Sequence, residues 1–408
     1  MKIILIVIDG LGDRPIPELG DKTPLESAQT PNLDWLAKEG ICGLVETFKF
    51  AKEIPRSDTA HLALFGYDPK IYYLGRGPYE AAGIGMGLEE GDVALRGNFA
   101  AVDNNLKIID RRAGRISDTQ SLVDALSGIE IEGVKFLIKK SYGHRAVLVL
   151  RGNGLSGSIS DGDSHKTGER IDKILPICIG KCGVKRIKDA QFTAKILNEF
   201  LEKSHQILKN HPLNQKREKQ GLLPANYFLV RGAGFLKETP SFKEKYGLRA
   251  CCIAGGGLYK GIGKILGMDE IEVQGATGLP DTNLGGKVLA ARENLERYDF
   301  IFVHIKAADN LAEDGNFKGK KEFIEKIDEN LKPLLNLKNT LIVVTADHST
   351  CCILKRHCKD PVPVLIFGIG SDNINKFSEK DCKGGKLGEV GQLDLLPTIL
   401  SLINKKNV

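Results

Sequence analysis

The chain lacks any apolar run long enough to cross a bilayer. Its opening segment, MKIILIVIDG, holds six consecutive apolar residues, Ile3 to Ile8, closed by Asp9, whereas a span needs about 18. The same run is too short for the core of a secretion signal and carries no small-residue cleavage site, so no export is expected. A surplus of one charge is also missing. The 58 basic and 52 acidic residues leave a net charge of +6, and the basic ones are spread over the whole chain. That excludes a nucleic-acid footprint and leaves room for a local cationic pocket. The nine cysteines are odd in number and include the adjacent pairs Cys251-Cys252 and Cys351-Cys352, which does not suit a secreted disulfide framework. A reducing, cytoplasmic setting is expected. Internal repeats and low-complexity tracts are absent as well, which rules out a solenoid.

What is present reads as a globular protein, 42% hydrophobic and 27% charged. Its 408 residues suit two domains, or one with a large insertion. Continuous apolar runs at Ile3–Ile8, Ala250–Ala254, Phe300–Ile305, Leu341–Ala346 and Val362–Phe367 alternate with helical periodicity at Leu284–Leu295 and Phe323–Leu335. Such runs are strands buried on both faces, so the fold class is α/β, a mostly parallel sheet with helices on both sides. Its members come from the first ten or so residues and the last third of the chain. Between them lie shorter strand candidates (Val93–Val102, Val134–Ile138, Ala146–Leu150, Tyr227–Val230), a long polar helix around Ala190–Leu208, and a polar run, His211–Gln220, that reads as an exposed loop. The expected organisation is a discontinuous domain, 1–75 and 246–408, with a smaller α/β domain, 76–245, inserted into it.

Asp9 ends the first apolar run, Asp347 and His348 follow another in VVTADHS, and Asp309 stands four residues past IFVHI. The carboxyl ends of parallel strands are where such sheets bind ligands. One such Asp reads as a helix cap; three, one beside a His, read as a metal centre. Oxygen donors with imidazoles suit Mn²⁺, Mg²⁺ or Zn²⁺, and two ions about 4 Å apart would clamp a phosphoryl group. Ser57, in PRSDTAHLALFGYDP, is placed to cap a helix, and the same helix start favours an alkoxide or a phosphate. A metal ion beside it would make it a nucleophile.

These residues occur in blocks, IVIDGLGDRP, SDTAHLALFGYDP, GRGPYEAAG, DRRAGR, RGAG, GGGLYKGIG, HIKAAD, TADHST and DPVP. Their order, nearly end to end, resembles that of the archaeal-type cofactor-independent phosphoglycerate mutases of the alkaline phosphatase superfamily. The resemblance implies an alkaline-phosphatase-like domain with an inserted substrate-binding domain. It implies interconversion of 2- and 3-phosphoglycerate through a phosphoserine, with two divalent ions (Mn, Mg, Zn or Co) and no 2,3-bisphosphoglycerate. Carried over, Asp9, Ser57, Asp347 and His348 would hold one ion, and Asp309 and His357 the other. Where the family usually reads KAxDExGHDG, this chain reads KAADNLAEDG from Lys306 to Gly315. Glu313 thus stands in for a ligating His, Asn310 for a Glu, and Arg56 for a small Gly before the serine. A carboxylate at 313 favours Mg²⁺ or Mn²⁺ over softer ions.

For the substrate, Arg111, Arg112 and Arg115 in DRRAGR and Arg231 in VRGAGF lie beside glycines that let a backbone approach a ligand. Arg145 joins them as a fork for phosphate or carboxylate. Lys260 is expected to carry charge on the transferring group. Asp161, Asp163 and His165 in SDGDSHKTG are either an Asx-rich turn or the segment that meets the glycerate hydroxyl, with Asp161 as acid or base. The cluster Cys351, Cys352, His357, Cys358 has no second ligand pair at zinc-knuckle spacing and reads as packing. The expected partner is a small phosphorylated metabolite, with no nucleic acid and no membrane, and a homo-oligomer is compatible with the sequence. Two rivals share these residues: a metal-dependent phosphatase or phosphotransferase acting on another small phosphate, and a non-catalytic binding paralogue.

Overall fold

The computed structural model describes residues 1–47, 54–163, 166–177 and 183–406. They divide into two compact units, Met1–Tyr73 with Thr239–Val408, and Leu74–Glu238.

The first unit is built on an eight-stranded sheet. In spatial order its strands are Asp269–Glu270, Ala250–Ile253, Phe300–Ile305, Lys2–Ile8, Thr340–Thr345, Val362–Phe367, Gly40–Glu46 and Gly388–Gly391. Only Val362–Phe367 runs against its neighbours. Every residue of Ile3–Ile8, Phe300–Ile305 and Thr340–Thr345 is buried, whichever face it points to, which is why these strands are unbroken apolar runs rather than alternating ones. The sheet also recruits Gly40–Glu46, a strand from outside the expected first ten residues and last third. Its two glycines broke the apolar run that marked the others. Register decides where the chemistry falls. Val7 pairs with His304 on one side and Thr345 on the other, so three adjacent strands stop level and their next residues emerge together.

The second unit is an antiparallel sheet. Val93–Val102 is its hub, paired with Ile108–Asp110, Arg145–Arg151 and Tyr227–Gly234, and Val134–Lys140 and Glu130–Ile131 extend it. The 26-residue helix Val184–Lys209 buries Ile196, Leu197, Phe200 and Leu208 in the core of one face, where Phe200 stacks on Phe136 with ring centroids 4.4 Å apart. The shorter helix Arg76–Gly83 packs on the other face, Ala81 against Ala94, Val147 and Val149.

Two expectations need correction. His211–Gln220 is not a loop: Pro212–Lys219 is helical, with His211 capping it through Leu213 N. Polar all round, the helix shows no periodicity, and tertiary contact supplies its stability: Asn214 is buried and donates to Leu208 O and Ala225 O. The telltale was Pro at the first helical position. The cysteines are not all free either. Cys351 and Cys358 are bonded across the hairpin Ser349–Cys351 and Arg356–Cys358, with Cα atoms 6.1 Å apart. In the antiparallel register Cys358 lies opposite Ser349 and Cys351 opposite Arg356, so the two thiols seven positions apart meet diagonally across the hairpin, which a count of cysteines could not show. Cys42, Cys251, Cys252, Cys352 and Cys382 are free and buried.

Candidate active site

Asp9, Lys306 and Asp347 follow directly, or by one residue, the three level strand ends. Gly10, at φ +68°, turns the chain there; a Cβ on it would come within 2.7 Å of the Asp309 Cβ and Thr350 Oγ1, so only glycine admits the approach. The fully buried Asp9 accepts at Oδ2 from Tyr259 Oη (2.6 Å) and His304 Nε2 (3.0 Å), and at Oδ1 from Lys306 Nζ (2.9 Å). Asp347 Oδ1 accepts from the amides of Gly10 (3.1 Å) and His348 (3.0 Å). His348 Nε2 lies 3.2 Å from Asp347 Oδ2, 3.9 Å from Asp9 Oδ1 and 3.2 Å from Ser57 Oγ.

Beside this group stands a second. Asp309, in the helix Ala307–Glu313, accepts from Thr350 Oγ1 (2.6 Å) and pairs with Lys306. His357 Nε2 is 3.3 Å from Asp309 Oδ1, its Nδ1 donates to Pro55 O (2.8 Å), and its ring stacks on His348 at 3.8 Å. The ligand atoms of Asp9, Asp347 and His348, and those of Asp309, His348 and His357, each lie within 4.8 Å of one another.

Ser57 is the first residue of the helix Ser57–Leu64, not its cap. Arg56 holds the cap position without a side-chain cap bond and turns its guanidinium to Asp58 and Tyr73. The hydroxyl therefore sits among the unsatisfied amides at the helix start, which favour negative charge.

Burial sets the protonation of the centre. It pushes His348 and His304 down to about 3 and His61 to about 4, leaving neutral imidazoles. Burial also raises the Asp347 carboxyl well above its usual value, aided by the charge of Asp9. Asp9 and Asp309, although buried, are held low chiefly by Lys306. His357 alone is raised, to about 9, because its contact with Asp309 outweighs burial. Three buried atoms of the centre, Asp347 Oδ2, His61 Nε2 and His304 Nδ1, have no hydrogen-bond partner. Three carboxylates and several imidazoles in so small a volume, some of their atoms without a partner, are the donor set of hard or borderline divalent cations, and the residues fit a pair of them.

The remaining candidates divide. Glu313 lies one turn beyond Asp309, 3.8 Å from His357 Nε2, with its side chain 47% exposed, outside the tight groups. Lys260 turns away to pair with Glu270 at 2.6 Å; among the described residues the lysine inside the centre is Lys306. Reading the sequence missed Lys306, His61, His304 and Tyr259. His304 lies within an apolar strand and Tyr259 within a glycine-rich run, where each reads as packing, although the spacing Ser57–His61 offered a signal. His61 Nδ1 donates to Ser57 O (2.7 Å), four residues back along one helix face.

In the second unit Arg111 grips the buried Asp163 with two bonds of 2.7 Å. Arg231 is largely buried and feels Asp163 and Arg111. Burial first, then the charges of Arg145, Arg96, Arg112 and Arg115, pushes His144 down to about 3. Asp161, exposed, accepts from Gly232 N (2.7 Å). His165 lies outside the described residues.

A model of the metalloenzyme superfamily matches residues 1–402. The 2,3-bisphosphoglycerate-independent phosphoglycerate mutase 1 of Archaeoglobus fulgidus is 48% identical over 413 residues, covering 99% of this chain and 98% of that protein. The chain belongs to this family. The Methanocaldococcus jannaschii protein of the same name is 46% identical over 411 residues, again covering 99% and 98%. Among solved structures, a Pyrococcus horikoshii protein superposes with a TM-score of 0.82 at 34% identity, covering 99% of this chain and 97% of that one. The cofactor-independent phosphoglycerate mutase of Thermoplasma acidophilum gives 0.68 at 37% identity, with 98% and 100% covered. The α/β architecture is thus the family's, and so is the use of metal. No described helix is long and apolar enough to cross a membrane.

Proposed function

We propose that this chain interconverts 2-phosphoglycerate and 3-phosphoglycerate through a phosphoserine at Ser57. The observation that carries the reading is the place of the Ser57 hydroxyl, at a helix start and 3.2 Å from His348 within a carboxylate–imidazole centre. Asp9, Ser57, Asp347 and His348 would hold one divalent ion, and Asp309, His357 and Glu313 the other. Bound there, Mn²⁺, Mg²⁺, Zn²⁺ or Co²⁺ supplies Lewis-acid stabilisation of the phosphoryl oxygens and lowers the pKa of the serine hydroxyl.

Ser57 Oγ bonds to phosphorus as the bond to the substrate oxygen breaks, and the released glycerate alkoxide takes up a proton. Lys306 adds positive charge beside the reacting group. Arg112, Arg115, Arg145 and Arg231 bind carboxylate and phosphate in fork geometry, Arg111 holds Asp163, and Asp161 serves the glycerate hydroxyls as acid and base. Glycerate reorients and recovers the phosphoryl group on its other hydroxyl. The donor is the substrate itself, so 2,3-bisphosphoglycerate has no role. We place the reaction in the cytoplasm, which suits the free buried thiols.

The test is an assay of purified, metal-stripped protein with 3-phosphoglycerate and each of the four ions in turn. We expect 2-phosphoglycerate to form without added 2,3-bisphosphoglycerate. Release of inorganic phosphate alone would favour the phosphatase reading, and tight binding without turnover the non-catalytic one.

A further inference from the structure

The strand Val93–Val102 presents Ala94, Arg96 and Asn98 to one face, because side chains alternate along a strand. Arg96 lies opposite Arg231 and Asn98 opposite Arg145 on the flanking strands, and the helix Arg76–Gly83 lies over the same face. Its Glu80 is buried, and Oε1 accepts from Arg76 Nε at 3.0 Å while Arg96 Nη1 stands 3.5 Å away.

A buried arginine beside a buried carboxylate is ordinarily a structural ion pair, and three observations argue against that here. Glu80 gives its shorter contact to Arg76, and 3.5 Å is at the limit of a hydrogen bond for Arg96. Arg96 is only 5% exposed, yet its Nε has no hydrogen-bond partner, and neither has Asn98 Oδ1 two residues along the same face. Finally, burial first, then the repelling charges of Arg145 and Arg76, push the Arg96 pKa well below the usual guanidinium value, with Glu80 attracting and Arg231 repelling more weakly. A buried guanidinium whose Nε lacks a partner is unfavourable by itself and is relieved by an anion.

We propose that Arg96 is a substrate anchor: its guanidinium binds one anionic group, carboxylate or phosphate, of the phosphorylated three-carbon acid, and Glu80 holds it in place. This rests on the mutase reading for the identity of the acid, but not for the existence of the anion site. Arg96 stands outside the arginines that the sequence motifs mark: although Gly97 follows it, it lies inside the strand run Val93–Val102, where a lone arginine reads as a core outlier.

The experiment compares the unaltered protein with Arg96→Gln and Arg96→Lys. Thermal midpoints are taken on metal-stripped protein with and without inorganic phosphate, D-glycerate or 3-phosphoglycerate, and KM and kcat on the loaded enzyme. We expect 3-phosphoglycerate to raise the midpoint of the unaltered protein. In Arg96→Gln that rise disappears and KM increases at least about tenfold, a loss of one charged hydrogen-bonded contact. The midpoint without anion stays level or goes up, since a repelled charge has been removed. A fall of several degrees without anion, with KM and anion response intact, would show a structural pair and overturn the proposal. So would an unaltered protein that no anion stabilises. Should Arg96→Gln fail to fold, Arg96→Lys decides, since it keeps the charge and loses the fork: a normal KM overturns the anchor, and a raised KM at an unchanged midpoint supports it. Anion stabilisation lost on substitution, in a protein without mutase turnover, would retain the anchor and reject only the mutase reading.

Discussion

The two units concentrate charge of opposite sign, and each crowds like charges together. The first gathers Asp9, Asp309 and Asp347 around Lys306, with neutral imidazoles filling the gaps. The second gathers Arg76, Arg96, Arg111, Arg145 and Arg231 around Glu80 and Asp163. Crowding like charges in partly desolvated positions disfavours the folded state, so neither arrangement is what folding alone would select. The difference teaches which ligand each can take. A carboxylate and imidazole set is built for cations, and a guanidinium set for the anions those cations activate.

The comparison breaks most visibly at the nucleophile. Ser57→Ala should lower turnover by orders of magnitude and abolish the phosphoserine seen by mass spectrometry. Stability should change by only about 1 kcal/mol, because Ser57 caps nothing and loses one contact of 3.2 Å. Near-normal turnover would remove serine catalysis.

On the cationic side the largest expected effect is structural. Arg111 holds the fully buried Asp163 carboxylate in a bidentate pair. Arg111→Gln should destabilise the protein by about 3 kcal/mol, the usual result of breaking a buried pair from one side. Adding Asp163→Asn should restore part of that loss in denaturant titrations. Equal stability of the single and double variants would show that Arg111 belongs with the anion-binding arginines rather than with the frame that holds them.

How far the sequence foretold this contrast depends on what each residue looks like alone. Asp9, Asp309 and Asp347 were legible because a carboxylate at the end of an apolar run is conspicuous, and the parallel sheet brings such ends together. His304 was not, since a histidine inside a strand is ordinarily a satisfied core residue. Here its Nε2 holds Asp9 and its Nδ1 has no partner. Lys260 and Lys306 both sit in family blocks, GGGLYKGIG and HIKAAD, and only Lys260 was read as the cation. In the fold the helix Gly257–Ile265 sends Tyr259 to Asp9 and the next residue, about 100° further round, to Glu270. Helix phase is set by packing, which the motif does not encode. The longer strands of both units were plain from their apolar runs, Gly40–Glu46 with its two glycines excepted, whereas the helix Pro212–Lys219 had no apolar face to show.

Tyr259 sharpens the comparison at intermediate size. Its hydroxyl donates to Asp9 Oδ2 at 2.6 Å, so it orients a proposed metal ligand. Tyr259→Phe should weaken Mn²⁺ binding about tenfold, in the range usual for outer-shell partners. Calorimetric titration of stripped protein measures it apart from turnover. Unchanged affinity would mean that His304 and Lys306 suffice to fix the carboxylate.

The smallest expected effect lies at Glu313. Asp309 and Glu313 share a helix face, and Glu313 Oε1 comes within 3.8 Å of His357 Nε2, but its side chain is 47% exposed. Water therefore screens it, and its removal should matter by less than about 1 kcal/mol to folding. Its influence is on the choice of ion. A carboxylate adds a negative charge to a centre that already has three and prefers harder cations, whereas an imidazole suits zinc or cobalt. Glu313→His should thus shift preference toward Zn²⁺ and Co²⁺ over Mg²⁺ and keep or raise turnover. Glu313→Ala should loosen the second ion by a few-fold at most. Both are read by competition titration of the four metals, followed by elemental analysis of the loaded protein. If Glu313→Ala leaves metal content, selectivity and rate as they were, Asp309 and His357 complete the second site with other donors, and the Glu at 313 is a surface residue.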